Sequence, residues 1–324
     1  LSVDHYTQST VKMAFPRILK QLAVPNDSSH SREGFHPSTM QKHLIASAGE
    51  FVGTFFFLWF AYAGSMQYVK QATLFPTSGG ISDTTVFFIA HVYSFSLLVN
   101  VWAFYRISGG LFNPALTLGM CLAGTLPWIR AAFLVPAQII ASMCAGGLAR
   151  CMFPGNTAAA NSVLSRDTSV ARGLFIEMFF TAFLVFVVLM LSAERSKDTF
   201  IAPIGIGLAL FVAMLAGKSP IEKRKKKSIR FYHVIPILTH FFLGTSYTGA
   251  SLNPVRSFGC AVATPGFPGY EWIYWLGPLL GAVVAAGFYR FVKWSHYEDA
   301  NPNEMQRTIL TATNHKQHST LQCN

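Results

Sequence analysis

Charge is scarce in this chain. Asp, Glu, Lys and Arg make up only 12% of its 324 residues, about half the share of an average soluble domain. Acids are scarcer still, 14 against 25 Lys and Arg. A chain that is 52% hydrophobic with so few charges cannot clothe a water-exposed surface, which argues against an ordinary soluble domain. Cysteine is sparse too. Cys121, Cys144, Cys151, Cys260 and Cys323 have no metal-ligand spacing, and four of them sit in apolar segments as small packing residues. No Ser/His/Asp triad, paired catalytic acid or phosphate-binding Gly-Lys loop occurs, so neither enzyme chemistry nor a cofactor is expected. The polar N-terminal stretch lacks the apolar core of a cleavable signal peptide. It opens on Leu1 rather than Met, as a fragment or an incomplete gene model would.

What the chain does have is long apolar runs. Six of them, at roughly 44–62, 85–105, 128–152, 174–193, 201–217 and 272–294, are separated by short polar or Gly/Pro-bearing links. A membrane helix needs about 20 apolar residues, so the pattern predicts an all-α membrane protein with six transmembrane helices. Residues 1–43 and 295–324 are polar and read as disordered tails flanking one domain over 44–294. His91, a lone histidine in an apolar run, reads as a packing residue.

Two short boxes interrupt the runs: Asn113-Pro114-Ala115 and Asn253-Pro254-Val255. Asn is a good helix cap and Pro suits the first helical position, so each box starts a helix too brief to cross a bilayer. The boxes sit in matching places of two halves. Each half also carries an acid-x-x-x-Thr pair inside an apolar run, Glu50 with Thr54 and Glu177 with Thr181. Three spans per half invert the second half relative to the first, an arrangement of transport proteins in which broken helices mark the permeation site. Arg256 follows the second box directly. A charge one turn into a membrane half-helix is costly and points to function.

The boxes, together with the run from Val99 through Tyr105, Arg106 and Gly109-Gly110 to Ala115, make the chain resemble the aquaporin (major intrinsic protein) family, its fungal water channels in particular. The resemblance covers about 44–294. It implies six spanning helices plus two re-entrant half-helices in an inverted repeat, a homotetramer in the lipid bilayer, and passive passage of water. In such a fold Glu50 and Glu177 are implied to hold the re-entrant loops by accepting hydrogen bonds, rather than to relay protons. The half-helices meet head to head, each end worth about half a positive charge, which opposes protons and cations. Asn113 and Asn253 offer donors at the same point.

The family's narrow filter maps by offset onto Tyr93, Met214, Ala250 and Arg256. Water-selective members usually carry Phe, His, a small residue and Arg. Met214 in the place of His removes a donor and an acceptor and makes the wall less polar. A broader pore for glycerol, hydrogen peroxide or other small neutral solutes therefore stays open, as does a nonconducting structural protein. Against the first of these, Ser257, Ala261 and Tyr274-Trp275 follow the water-channel pattern. Val255 in place of Ala is an apolar change with a mild expected effect.

With both tails inside, thirteen Lys/Arg fall on the inner side and four on the outer side, leaving out Arg256 and the block 218–244. Cytosolic termini and a plasma-membrane address are the expectation. The block 218–244 breaks the pattern. It holds seven Lys/Arg and one Glu, +6 of the net +11. Its basic residues lack interleaved stacking aromatics, so no nucleic-acid partner is expected. Removing it restores the family's register, and its residues suit intron donor, branch and acceptor codons. It reads as a retained intron, with a genuine outer loop as the alternative.

Overall fold

The computed structural model describes residues 38–74, 83–194, 197–215, 247–264 and 267–297. The basic block 218–244 and almost all of the two tails lie outside them. The chain separates into two units, Leu1–Gln41 and Lys42–Asn324. In the first unit, Ser38 and Gln41 exchange a capping pair: Ser38 N–H donates to Gln41 Oε1 at 2.7 Å and Gln41 N–H to Ser38 Oγ at 3.3 Å. Helix therefore starts at Thr39, inside the stretch 1–43 that composition alone assigns to a disordered tail.

Among the described residues eight α-helices follow in chain order: α1 Thr39–Leu74, α2 Asp83–Phe104, α3 Pro114–Ala123, α4 Trp128–Met152, α5 Val170–Val188, α6 Ala202–Leu215, α7 Pro254–Ala263 and α8 Ile273–Trp294. No strand occurs among the described residues. Five of the helices (α1, α2, α4, α5 and α8) are long and apolar enough to cross a membrane. The predicted fifth span is shorter. α6 has 14 residues, about 21 Å of rise, and a 3-10 turn over Lys197–Ile201 leads into it. α5 ends in a π-helical turn, Leu189–Ala193. Beyond that turn Glu194 accepts from Tyr289 Oη at 2.6 Å and pairs with Lys293 Nζ at 3.2 Å, fastening the turn to the end of α8.

Burial is inverted relative to a soluble protein. Phe60, Phe179 and Phe183 face outward, while Glu50, Glu177, Gln138, Thr117 and Arg256 are buried. Large apolar side chains belong outside only where lipid replaces water. Small residues let the helices approach closely. A Cβ on Gly146 would lie 2.3 Å from the Gly259 carbonyl oxygen, and one on Gly259 would lie 2.4 Å from that of Ser142, so α4 and half-helix α7 touch backbone to backbone.

Candidate functional site

The two half-helices begin at the boxes. Asn113 and Asn253 have extended backbones, and their side chains cap the first turns. Asn113 Oδ1 accepts from Ala115 N–H at 2.9 Å and Leu116 N–H at 3.4 Å; Asn253 Oδ1 accepts from Val255 N–H at 3.2 Å. Pro114 and Pro254 take the first helical turn, where a missing N–H leaves nothing unpaired. Ala115 and Val255 are fully buried.

Each Asn also reaches across to the other half. Asn113 Nδ2 donates to the Leu252 carbonyl at 2.9 Å, and Asn253 Nδ2 to the Phe112 carbonyl at 2.8 Å. An amide nitrogen carries two hydrogens, so each keeps one N–H beyond this reciprocal pair. The loops leading into the boxes are strained. Phe112, Ala250 and Leu252 all sit at positive φ, between +47° and +53°. Such strain persists only where the surroundings over-determine it.

Two buried carboxylates supply that determination. Glu50 accepts from Ser108 Oγ at 2.7 Å, Leu111 N–H at 2.9 Å, Phe112 N–H at 2.7 Å and Gln138 Nε2 at 2.8 Å. Glu177 accepts from Thr248 Oγ1 at 2.6 Å, Ser251 N–H at 2.9 Å and Leu252 N–H at 2.8 Å. Each of these partners donates to a carboxylate oxygen, so the acceptor sites of both side chains are taken up by the loops and by Gln138. Gln138 also donates to Thr117 Oγ1 at 3.1 Å, which links the first half-helix to α4.

Tyr93, Met214, Ala250 and Arg256 line one narrow cavity together with Asn113 and Asn253. It offers about 30 Å³ to water-sized occupants, above the roughly 10–15 Å³ that a single water needs. The rest of its wall is mostly apolar, with Phe57, Leu97, Val101 and Leu210 among the lining side chains. The Arg256 guanidinium carbon stands 4.8 Å from the centre of the Tyr93 ring, within cation–π range. Its Nη1 donates to Ser162 Oγ. Its Nε and the Tyr93 hydroxyl are buried without hydrogen-bond partners. The Arg256 carbonyl accepts from Tyr62 Oη at 2.6 Å.

Ser162, Tyr62 and Gln138 carry no motif, and sequence reasoning did not single them out. For Ser162 the one available signal is the Ser, Thr and Asn content of the link after α4; Tyr62 and Gln138 lie inside apolar helices. His91 lies away from the cavity, its ring against Phe87, Phe95 and Phe211. Just before α8, one oxygen of Glu271 is buried and unpaired. Burial pushes this carboxyl up to about 7, with the Arg256 charge opposing.

Spanning helices that enclose a water-sized cavity, with two broken helices meeting head to head over it, define a multi-pass membrane channel. A model of the major intrinsic protein family matches residues 37–220 and 224–289. The chain belongs to that family, whose members are membrane-embedded channels for water and small solutes. It is 57% identical over 269 residues to the "Probable aquaporin-3" of Gibberella zeae, across 83% of this chain and 85% of that one. It is 46% identical over 263 residues to the aquaporin-2 of Botryotinia fuckeliana, across 81% of this chain and only 62% of that longer relative. Among solved structures, an aquaglyceroporin from Plasmodium falciparum shares the fold with a TM-score of 0.57 at 15% identity, covering 77% of this chain and 95% of that one.

Proposed function

We propose that the chain is a passive water channel that excludes protons and ions. The observation that carries this reading is one cavity of about 30 Å³ lined at once by Asn113, Asn253 and Arg256. A water at the boxes turns its oxygen toward the free N–H of each Asn and toward two positive half-helix ends. That orientation breaks the hydrogen-bonded file along which a proton would hop. Arg256 adds a full positive charge in a low-dielectric neck, where repulsion of a cation is strong. Glu50 and Glu177 serve as scaffold, since their oxygens are occupied by loop donors. The working unit is a homotetramer in the plasma membrane with both termini cytosolic.

A second reading rests on Met214, which is fully buried in the cavity wall. A thioether there favours small neutral solutes with apolar carbon, such as glycerol, or hydrogen peroxide. Stopped-flow light scattering of proteoliposomes tests both. Fast shrinkage in a sucrose gradient without re-swelling in glycerol supports the water channel; rapid glycerol re-swelling supports the broader pore. Shrinkage no faster than in protein-free liposomes overturns both. The block 218–244 is proposed to be a retained intron, and a transcript carrying it in frame would refute that.

A further inference from the structure

We infer that three buried serines form a one-way hydroxyl chain that positions the filter arginine and takes one of its donors out of the pore. The inference rests on the channel reading above. The chain starts at Arg256, whose Nη1 donates to Ser162 Oγ. Ser162 Oγ is in turn hydrogen-bonded to Ser257 Oγ. Ser257 Oγ lies 2.5 Å from Ser251 Oγ, and Ser251 Oγ donates to the Asn253 carbonyl at 3.0 Å. Both ends have only one possible polarity. The guanidinium can only donate and the carbonyl can only accept. Each hydroxyl between them has one proton, so every proton points away from Arg256 and toward Asn253. The three serines and the arginine are all at most 3% exposed.

The chain joins segments far apart in sequence. Ser162 belongs to the link after α4, and that link is fastened to half-helix α7. Cys260 Sγ donates to the Thr157 carbonyl at 3.2 Å, and Thr264 Oγ1 to Thr157 Oγ1 at 3.0 Å. Gly249, at φ +79°, lets it come close: a Cβ there would lie 2.8 Å from Ser162 Cα. Arg256 and Ser251 line the cavity, whereas Ser162 and Ser257 stand behind its wall. The guanidinium is therefore held by Nη1 from behind, and the rest of the group is left to meet the solute. Conduction needs binding weak enough to release, so withdrawing one N–H keeps the filter from gripping water.

The test uses the full-length chain with Ser162→Ala and Ser162→Thr, reconstituted in proteoliposomes and normalised to incorporated protein. Loss of the hydroxyl frees Nη1 to turn into the lumen. Water permeability per channel is expected to fall about tenfold in Ser162→Ala, the scale of one hydrogen bond to a charged group. Ser162→Thr keeps the hydroxyl and is expected to stay near wild type. A packing role predicts the reverse, because Ala removes a single oxygen and Thr adds a methyl to a buried position. Ser257→Ala, which breaks the chain one link further on, should give a smaller fall in the same direction and carries the test if Ser162→Ala fails to reconstitute. An unchanged Ser162→Ala, or Thr worse than Ala, overturns the serine inference alone. A wild type no faster than protein-free liposomes overturns the channel reading and this inference with it.

Discussion

Replacing Glu177 by Gln keeps the shape of the side chain and removes one acceptor. The amide oxygen can still face Thr248 Oγ1 and Ser251 N–H, which lie on the Oε1 side at 2.6 and 2.9 Å. Its NH₂ must then face the Leu252 N–H that now donates at 2.8 Å. That N–H is orphaned, at a cost of about 1–3 kcal/mol, and the two surviving bonds lose charge assistance worth about 1 kcal/mol each. Burying a neutral amide rather than a charge recovers part of this, leaving a net loss of about 3 kcal/mol. For a chain of 324 residues that corresponds to roughly 4–6 °C in midpoint. Leu252 sits at φ +53° and its carbonyl receives Asn113 Nδ2, so loosening the loop should lower water permeability as well. The assay pairs thermal unfolding in detergent with stopped-flow permeability. Glu194→Gln, at a partly exposed pair with Lys293, serves as a control expected to cost under about 1 kcal/mol. A Glu177→Gln protein matching wild type in both measurements would refute the view that this carboxylate holds the second box.

Other outcomes follow from the same geometry. Arg256→Ala should leave water moving while proton and cation leak, followed with a lumenal pH dye, rises about a hundredfold as the charge leaves the neck. Gly259→Ala should destabilise by about 1–3 kcal/mol, read as a lower melting temperature, because the new methyl meets the Ser142 carbonyl rather than a side chain that could yield. Glu271 should make stability fall as pH rises from about 4.5 to 7. Its folded value of about 7 lies above the unfolded one, so the folded state holds the extra proton in that window and its advantage shrinks as the proton leaves. Discounted for partial exposure, the effect is about 1–2 kcal/mol; melting curves at pH 5 and 8 should differ in wild type and converge in Glu271→Gln.

Much of the helix layout was legible in sequence, because apolar length and capping are local properties. α4 runs over the residues its apolar stretch marks out, and the half-helices start at their Asn-Pro boxes because cap and proline act within one turn. The first turn of α1 is not legible in the sequence, because a polar turn held by Ser38 and Gln41 has no apolar face to betray it. The π-helical turn after α5 was invisible, since the Tyr289 and Lys293 partners of Glu194 lie 95 and 99 residues further on. Of the cavity lining, the boxes and Arg256 stand out by spacing and by the cost of a buried charge. Ser162 does not. A serine in a polar link carries no mark of a partner 94 residues away.

The crossed amide–carbonyl bonds of the two boxes set an order on how the protein is made. Asn113 Nδ2 has its partner on Leu252, 139 residues later, and the Phe112 carbonyl waits for Asn253, 141 residues later. At about 5–20 residues per second, synthesis of that stretch takes roughly 6–28 seconds, whether or not block 218–244 is translated. Through that interval the first half sits in the membrane with an unanswered donor and an unanswered acceptor at its heart. The crossed pair can therefore close only when the second half arrives.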